Sequence, residues 1–254
     1  MILHTDLGNG IHQLSINRPE RKNALNTALL IELADKLDAL VADKARVVMI
    51  NGVEGNFAAG ADIDEIAELS PQQALLDGRV EAWRRIRNCP MPLIAVVQGY
   101  CLGGGVELLL SCDFAIADNS AQLGLPEVTL GIMPGAGGTQ LLPRLIGKAR
   151  ASQMVFSGQI YSAQKMADWG LLADVVADDE DVFEVVTKIA KKIARNAPFA
   201  VAQAKQSLLQ SQEVGQEAGM KFERQVFSLL SSTADKQEGI AAFKEKRHAK
   251  FTGE

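Results

Sequence analysis

The sequence predicts an α/β fold of repeated strand–helix units that passes into an all-helical C-terminal region. Short apolar runs of strand length alternate with segments whose apolar residues recur at helical spacing. Glycine-bearing turns at Gly60, Gly103 and Gly137 each lead toward a helical segment, the recurrence expected where strands and helices alternate. From about residue 181 onward only helical periodicity remains. The expected organisation is a core over residues 1–195 and a helical region over 196–254. No Pro- or Ser-rich linker separates them, so the helices should dock on the core.

Residues 11–16 alternate well enough for a strand, which Asn17-Arg18-Pro19 ends. A helix to about residue 42 follows, with Leu29, Leu30, Leu33, Leu37 and Leu40 on one face. Val47, Val48, Met49 and Ile50 read as a buried strand. After a loop over 52–60, Asp62 followed three residues later by Glu65 resembles a capping box that opens a helix. A polar helix should then run to about residue 88, where Pro90 and Pro92 stop it before a strand over 93–97. Helices are expected at 104–112, 181–195, 198–212, 216–232 and 235–248, with a strand at 113–117. The third of the C-terminal helices carries Phe222, Val226, Phe227 and Leu230 on one side.

Composition excludes several classes. With 254 residues, 47% apolar and 22% charged, the chain is an ordinary globular protein. A net charge of -5 argues against general nucleic-acid binding. No apolar run approaches the ~18 residues of a membrane span. Cys89, Cys101 and Cys112 have no zinc-like spacing and point to reduced thiols in a cytoplasm. The three histidines lie far from the glycine-rich centre, so neither a Ser-His-Asp triad nor a histidine-based metal site is expected there. Gly135-Ala136-Gly137-Gly138 lacks the preceding strand and the later acid of a dinucleotide fingerprint, and no Walker ending occurs.

Chemistry concentrates between Tyr100 and Gln140. Glu107 enters a helix of leucines after three glycines, and Glu127 follows Pro126 shortly before a second glycine-rich run. Carboxylates among apolar neighbours are costly unless hydrogen-bonded or used. The helix at 104–112 advances about 13 Å and the next strand returns about 16 Å, so chain length permits the two acids to meet. If they meet, their titrations are coupled and one pKa rises, which suits proton exchange with a water. Otherwise Glu107 satisfies helix N-terminal amides and Glu127 lies at the surface. Ala61 and Gly104 begin predicted helices, where free amides could form an oxyanion hole. The alternative is that these small residues only permit tight turns.

The motifs Asn17-Arg18-Pro19, Asn23-Ala24-Leu25-Asn26, Phe57-Ala58-Ala59-Gly60-Ala61-Asp62-Ile63, Gly103-Gly104-Gly105-Val106-Glu107 and Pro126-Glu127, with Gly138-Thr139-Gln140 and the C-terminal Gly239-Ile240-Ala241-Ala242-Phe243, resemble in order the signatures of the enoyl-CoA hydratase/isomerase (crotonase) family. The resemblance covers essentially the whole chain. It implies a crotonase-like spiral of strand-strand-helix turns with a C-terminal helical trimerisation region, as a homotrimer or homohexamer. It also implies a CoA thioester substrate and no cofactor or metal beyond it. By motif position, Ala61 and Gly104 match the oxyanion hole, and Glu107 and Glu127 match the two acids that hold a water and hydrate a trans-2-enoyl-CoA. Ala59, Ala61, Asp62, Ile63 and Asp64 match the CoA and acyl channel, and Lys22 and Ala24 match the loop at the CoA head. Phe243 and Lys246 match positions that reach a neighbouring subunit's CoA, although the basic tail also reads as an ordinary solvated face.

Within the family, residues 124–134 and the C-terminal third resemble bacterial phenylacetate-pathway hydratases acting on 2,3-dehydroadipyl-CoA. A short-chain hydratase of fatty-acid β-oxidation is the other expectation. A Δ3,Δ2-enoyl-CoA isomerase needs only Glu127 and the oxyanion hole, and a non-catalytic RNA-binding member is the third reading.

Overall fold

The computed structural model describes residues 1–75 and 77–254. Strands β1 (Ile2–Asp6) and β2 (Ile11–Ile16) form an antiparallel pair, and α1 (Thr27–Ala42) leads to β3 (Val47–Gly52). Three helices follow, α2 (Ile63–Ala67), α3 (Pro71–Leu75) and α4 (Gly78–Arg87). Then come β4 (Leu93–Val97), β5 (Tyr100–Leu102), α5 (Gly104–Ser111), β6 (Phe114–Ala117) and β7 (Gln122–Gly124). A 3-10 turn, Glu127–Leu130, precedes α6 (Gly138–Ile146), α7 (Lys148–Ser157), β8 (Ile160–Ser162), α8 (Ala163–Trp169) and β9 (Asp174–Val175). Helices α9 (Val182–Ala194), α10 (Pro198–Gln210), α11 (Gln216–Leu230) and α12 (Ala234–Glu245) complete the order.

The main sheet runs β1-β2-β3-β4-β6-β9, parallel except for the first pair. Strands β3 and β4 are buried on both faces, as near-continuous apolar runs require. Alternation divides their side chains between two cores. Val48, Ile50, Leu93, Ala95 and Val97 face α1 and α5, whereas Val47, Met49, Ile94 and Val96 face Val182, Val186 and Ala190 of α9. The second sheet, β5-β7-β8, stands beside it. The chain turns from β4 into β5 and then into α5, and from β6 into β7 before the 3-10 turn. These are the strand-strand-helix turns that the family resemblance implied.

Several local expectations are corrected. The polar helix ahead of Pro90 is three pieces, because Ser70-Pro71 and the Asp77 cap each restart it. The capping box does not close. Asp62 caps α2 by accepting from the Asp64 amide, but Glu65 instead accepts from the backbone N and Oγ1 of Thr27 at 2.9 and 2.8 Å. Glu65 therefore ties α2 to the start of α1. Short strands β1, β5, β7, β8 and β9 add to the expected set: β1 joins β2 through the local Gly8-Asn9-Gly10 hairpin turn, and the others pair through tertiary contacts that no local pattern announces.

The C-terminal helices meet the core through polar pins. Lys205 of α10, almost fully buried, donates to the Met91 carbonyl at 3.0 Å and Asp113 Oδ2 at 2.8 Å. Arg46 bonds the carbonyls of Ala194 and Phe251 at 3.0 and 2.7 Å. Asp235 holds the backbone amides of Thr252 and Gly253. No residue of helix α11 is fully buried: Phe222, Val226 and Leu230 are half-buried, and Phe227 is 60% exposed.

Candidate active site

A cavity of about 830 Å³ opens between α2–α4, α5, the 3-10 turn and the start of α6. Both acids, Ala61 and Gly104 line it. Three turns place them: the turn into α5 carries Gly104 and Glu107, the one before α2 carries Ala61, and the 3-10 turn carries Glu127. Gly103 precedes α5 with φ 50° and ψ -121°, a conformation open to glycine, and its amide donates to the Gly124 carbonyl at 2.8 Å. Helix α5 is apolar on all sides, so Glu107 arrives in the interior at 4% exposure. There its Oε1 accepts from the amides of Ala136 and Gly138 at 2.7 and 2.9 Å. A Cβ on Gly138 would lie 2.8 Å from Pro134 Cβ and 3.2 Å from Glu107 Oε1, so only glycine lets the chain approach the acid this closely.

Glu127 opens the 3-10 turn behind Pro126. It lies beside the α5 turn: a Cβ on Gly103 would be 3.1 Å from its Oε1. Its Oε2 is buried and has no hydrogen-bond partner among the described residues, an orphaned acceptor of the kind that marks functional sites.

Electrostatics separate the two acids. Burial raises the pKa of Glu107, while the Gly138 and Ala136 amides and the charge of Arg87 pull it back. Burial pushes Glu127 up to about 7, and the Glu107 charge adds to the rise. The pair therefore combines an acid held by donors with one that retains its proton near neutral pH.

The amides of Ala61 and Gly104 donate to no acceptor among the described residues. They are close neighbours, since a Cβ on Gly104 would lie 3.3 Å from Ala61 N. Two adjacent free donors at a cavity wall can bind one carbonyl oxygen and stabilise charge that develops there.

Among the other expected binding residues, Ala59 and Ile63 line the cavity. Lys22, Ala24, Asp62 and Asp64 do not. Lys22 lies over the Tyr100 ring at 4.7 Å, and the Ala24 carbonyl accepts from Arg18 at 2.8 Å. Asp62 lies between the lining residues Ala61 and Ile63, where Arg18 engages its carboxylate at 2.9 Å and holds its pKa below the usual range. Asp64 pairs with Arg21 at 3.2 Å outside. Phe243, 85% exposed, and Lys246 at the end of α12 also lie outside the cavity of their own chain.

The sequence led us to expect the helical segment 66–88 at the acyl end without singling out Asp77, Arg79 and Arg87, which line the cavity from α4 and its cap. Arg87 Nη1 donates to the Ala136 carbonyl at 3.0 Å, bracing the segment whose amides hold Glu107. Burial lowers the Arg87 pKa. The available signal was its spacing four residues after Trp83, on the same helix face. Arginines in the last turn of a helix ordinarily answer the dipole, which concealed it.

The sequence profile described as Enoyl-CoA hydratase/isomerase matches residues 6–254. The chain belongs to that family of enzymes. It is 48% identical over 241 residues to a 2,3-dehydroadipyl-CoA hydratase of Escherichia coli (strain K12), covering 94% of each chain. A probable enoyl-CoA hydratase of Rhizobium meliloti (strain 1021) is 41% identical, over 94% of this chain and 93% of the relative. An enoyl-CoA hydratase from Bacillus anthracis superposes with a TM-score of 0.93 at 39% identity, over 100% of this chain and 99% of the other.

Proposed function

We propose that the protein is an enoyl-CoA hydratase that adds water reversibly across the C2=C3 bond of a trans-2-enoyl-CoA. The observation that carries this reading is the pair of acids in one cavity with two free amides beside them. The amides of Ala61 and Gly104 bind the thioester oxygen and withdraw electron density from C3. Glu107, fixed through Oε1, presents Oε2 to a water and takes its proton as the hydroxyl bonds to C3. Glu127 gives its proton to C2 as the double-bond electrons move there. One water is consumed, and the two acids exchange which of them holds the proton. CoA enters only as part of the substrate, and carbonyl polarisation is assigned to the amides.

Retention of both acids supports hydration over double-bond isomerisation, for which one acid suffices. The E. coli relative's substrate, 2,3-dehydroadipyl-CoA, is our preferred choice over a short fatty-acyl chain, with a role in phenylacetate catabolism. We also propose a homotrimer, alone or stacked as a hexamer, in which Phe243 and Lys246 reach a neighbour's CoA. The bare face of α11 supports that assembly. We further propose a cytoplasmic location, a reading that three free cysteines support. Among the described residues no helix is long and apolar enough to cross a membrane.

The test is to incubate the protein with crotonyl-CoA and follow the conjugated enoyl-thioester absorbance together with product mass. Loss of absorbance with the gain of one water is expected. No reaction with crotonyl-, hexenoyl- or 2,3-dehydroadipyl-CoA would contradict the reading.

A further inference from the structure

Helix α4 turns one face to the cavity, through Arg79, Val80, Trp83 and Arg87, a stripe of helical spacing. Arg87 stands at the reacting end, braced on Ala136 beside the donors to Glu107. Arg79 lies eight residues earlier, about 12 Å along the axis at ~1.5 Å per residue. The same wall includes the apolar residues Ile66, Leu69, Ala74 and Val80.

A guanidinium in such a place is costly unless it is paired. The Arg79 side chain is 15% exposed, and Asp77, itself 10% exposed, pairs with its Nε and Nη2. Asp77 is in turn fixed as the cap of α4, accepting from the Arg79 amide at 2.9 Å. Nη1 meets no acceptor among the described residues. Asp77 thus occupies one edge of the planar fork and leaves the other edge to the cavity. That edge matches a carboxylate through two parallel hydrogen bonds. A hydrocarbon chain against it would leave desolvated donors unmet.

We propose that Arg79 anchors a terminal carboxylate on the acyl chain, so that the enzyme's preferred substrates are enoyl-CoA thioesters of dicarboxylic acids. This rests on the hydratase reading and its preferred substrate, and adds the residue that would select the far carboxyl. A six-carbon chain spans about 6 Å from thioester carbon to far carboxyl, from C–C bonds of ~1.5 Å. Asp77 keeps the guanidinium oriented when the site is empty and shares it when the substrate arrives.

The test uses two unreactive ligands of equal length, adipyl-CoA and hexanoyl-CoA, which differ in the terminal carboxyl, titrated calorimetrically. The wild type is expected to bind adipyl-CoA about 10- to 100-fold more tightly, the range of a charge-assisted hydrogen bond. Arg79→Met is expected to abolish that preference, and Arg79→Lys to retain part of it. If Arg79→Met does not fold, Arg79→Gln, which keeps a donor toward Asp77, takes its place. The ratio of kcat/KM for 2,3-dehydroadipyl-CoA over trans-2-hexenoyl-CoA should fall by the same factor, mainly through KM. Equal binding of the two ligands by the wild type, or a preference that survives Arg79→Met, overturns the proposal. Neither ligand turns over, so this outcome is independent of whether crotonyl-CoA is hydrated, on which the hydratase reading stands or falls.

Discussion

Glu107 and Glu127 have the same side chain and different surroundings, and the difference assigns their work. Two amides hold one oxygen of Glu107, whereas Glu127 keeps a buried oxygen without a partner. Hydration neither consumes nor releases a proton overall, so forward and reverse reactions must start from the same proton count on the pair. One shared proton satisfies both directions. Raising pH through about 7 removes it from Glu127, and lowering pH far enough adds a second one to Glu107. We therefore expect a bell-shaped kcat/KM in either direction, falling about tenfold per pH unit on the alkaline side. A profile flat to pH 9 in steady-state assays would count against the shared proton. Apolar neighbours and flanking turns drew attention to the two acids and both amides, and the family resemblance chose between the readings those residues left open. It did not reveal Arg87 or the Asp62–Arg18 pair, since a charged side chain's partner depends on folds distant in sequence.

At the scale of elements, the turns do more than reverse the chain. The turn into α5 places Glu107 and the Gly104 amide together, and the turn into α6 returns two donors to that same acid. Gly138→Ala would insert a methyl 2.8 Å from Pro134 Cβ and 3.2 Å from Glu107 Oε1. We expect a stability loss of about 1–3 kcal/mol, the usual cost of overpacking, and a fall in kcat of at least about tenfold as Glu107 is displaced. Urea melts and initial rates on one preparation check both. Wild-type kcat with reduced stability would mean that the turn supports the fold alone. The long strands and helices were legible from periodicity, as β3, β4 and α1 show. The break of the polar segment into α2, α3 and α4 was not. Its local signals, Pro71 and Asp77, also occur at the boundaries of longer helices, and α4's inward face is set by Ala82, Trp83 and Ile86 packing in the core with the α1 leucines.

For the whole molecule, the parallel sheet divides the core, α9 covers one face, and the site opens on the other side beside the second sheet. Helix α11 leaves Met220, Phe227 and Leu229 each at least half exposed, and Met220 and Phe227, seven residues apart, share one side of the helix. Sedimentation equilibrium is expected to give three or six chains. A concentration-independent monomer would remove the proposed reach of Phe243 and Lys246 into a neighbouring site. The helical character of this region was plain from its periodicity, but its bare face was not, because periodicity shows that a face is apolar and not what covers it.

The central claim is that Glu107 and Glu127 act together on one water. It is tested most directly by the turnover of crotonyl-CoA with Glu107→Gln and with Glu127→Gln, each confirmed to be folded by circular dichroism. Each variant is expected to lose about 10²–10⁴ in kcat, the contribution of a positioned acid or base. A rate within a few-fold of wild type in either variant would contradict the claim.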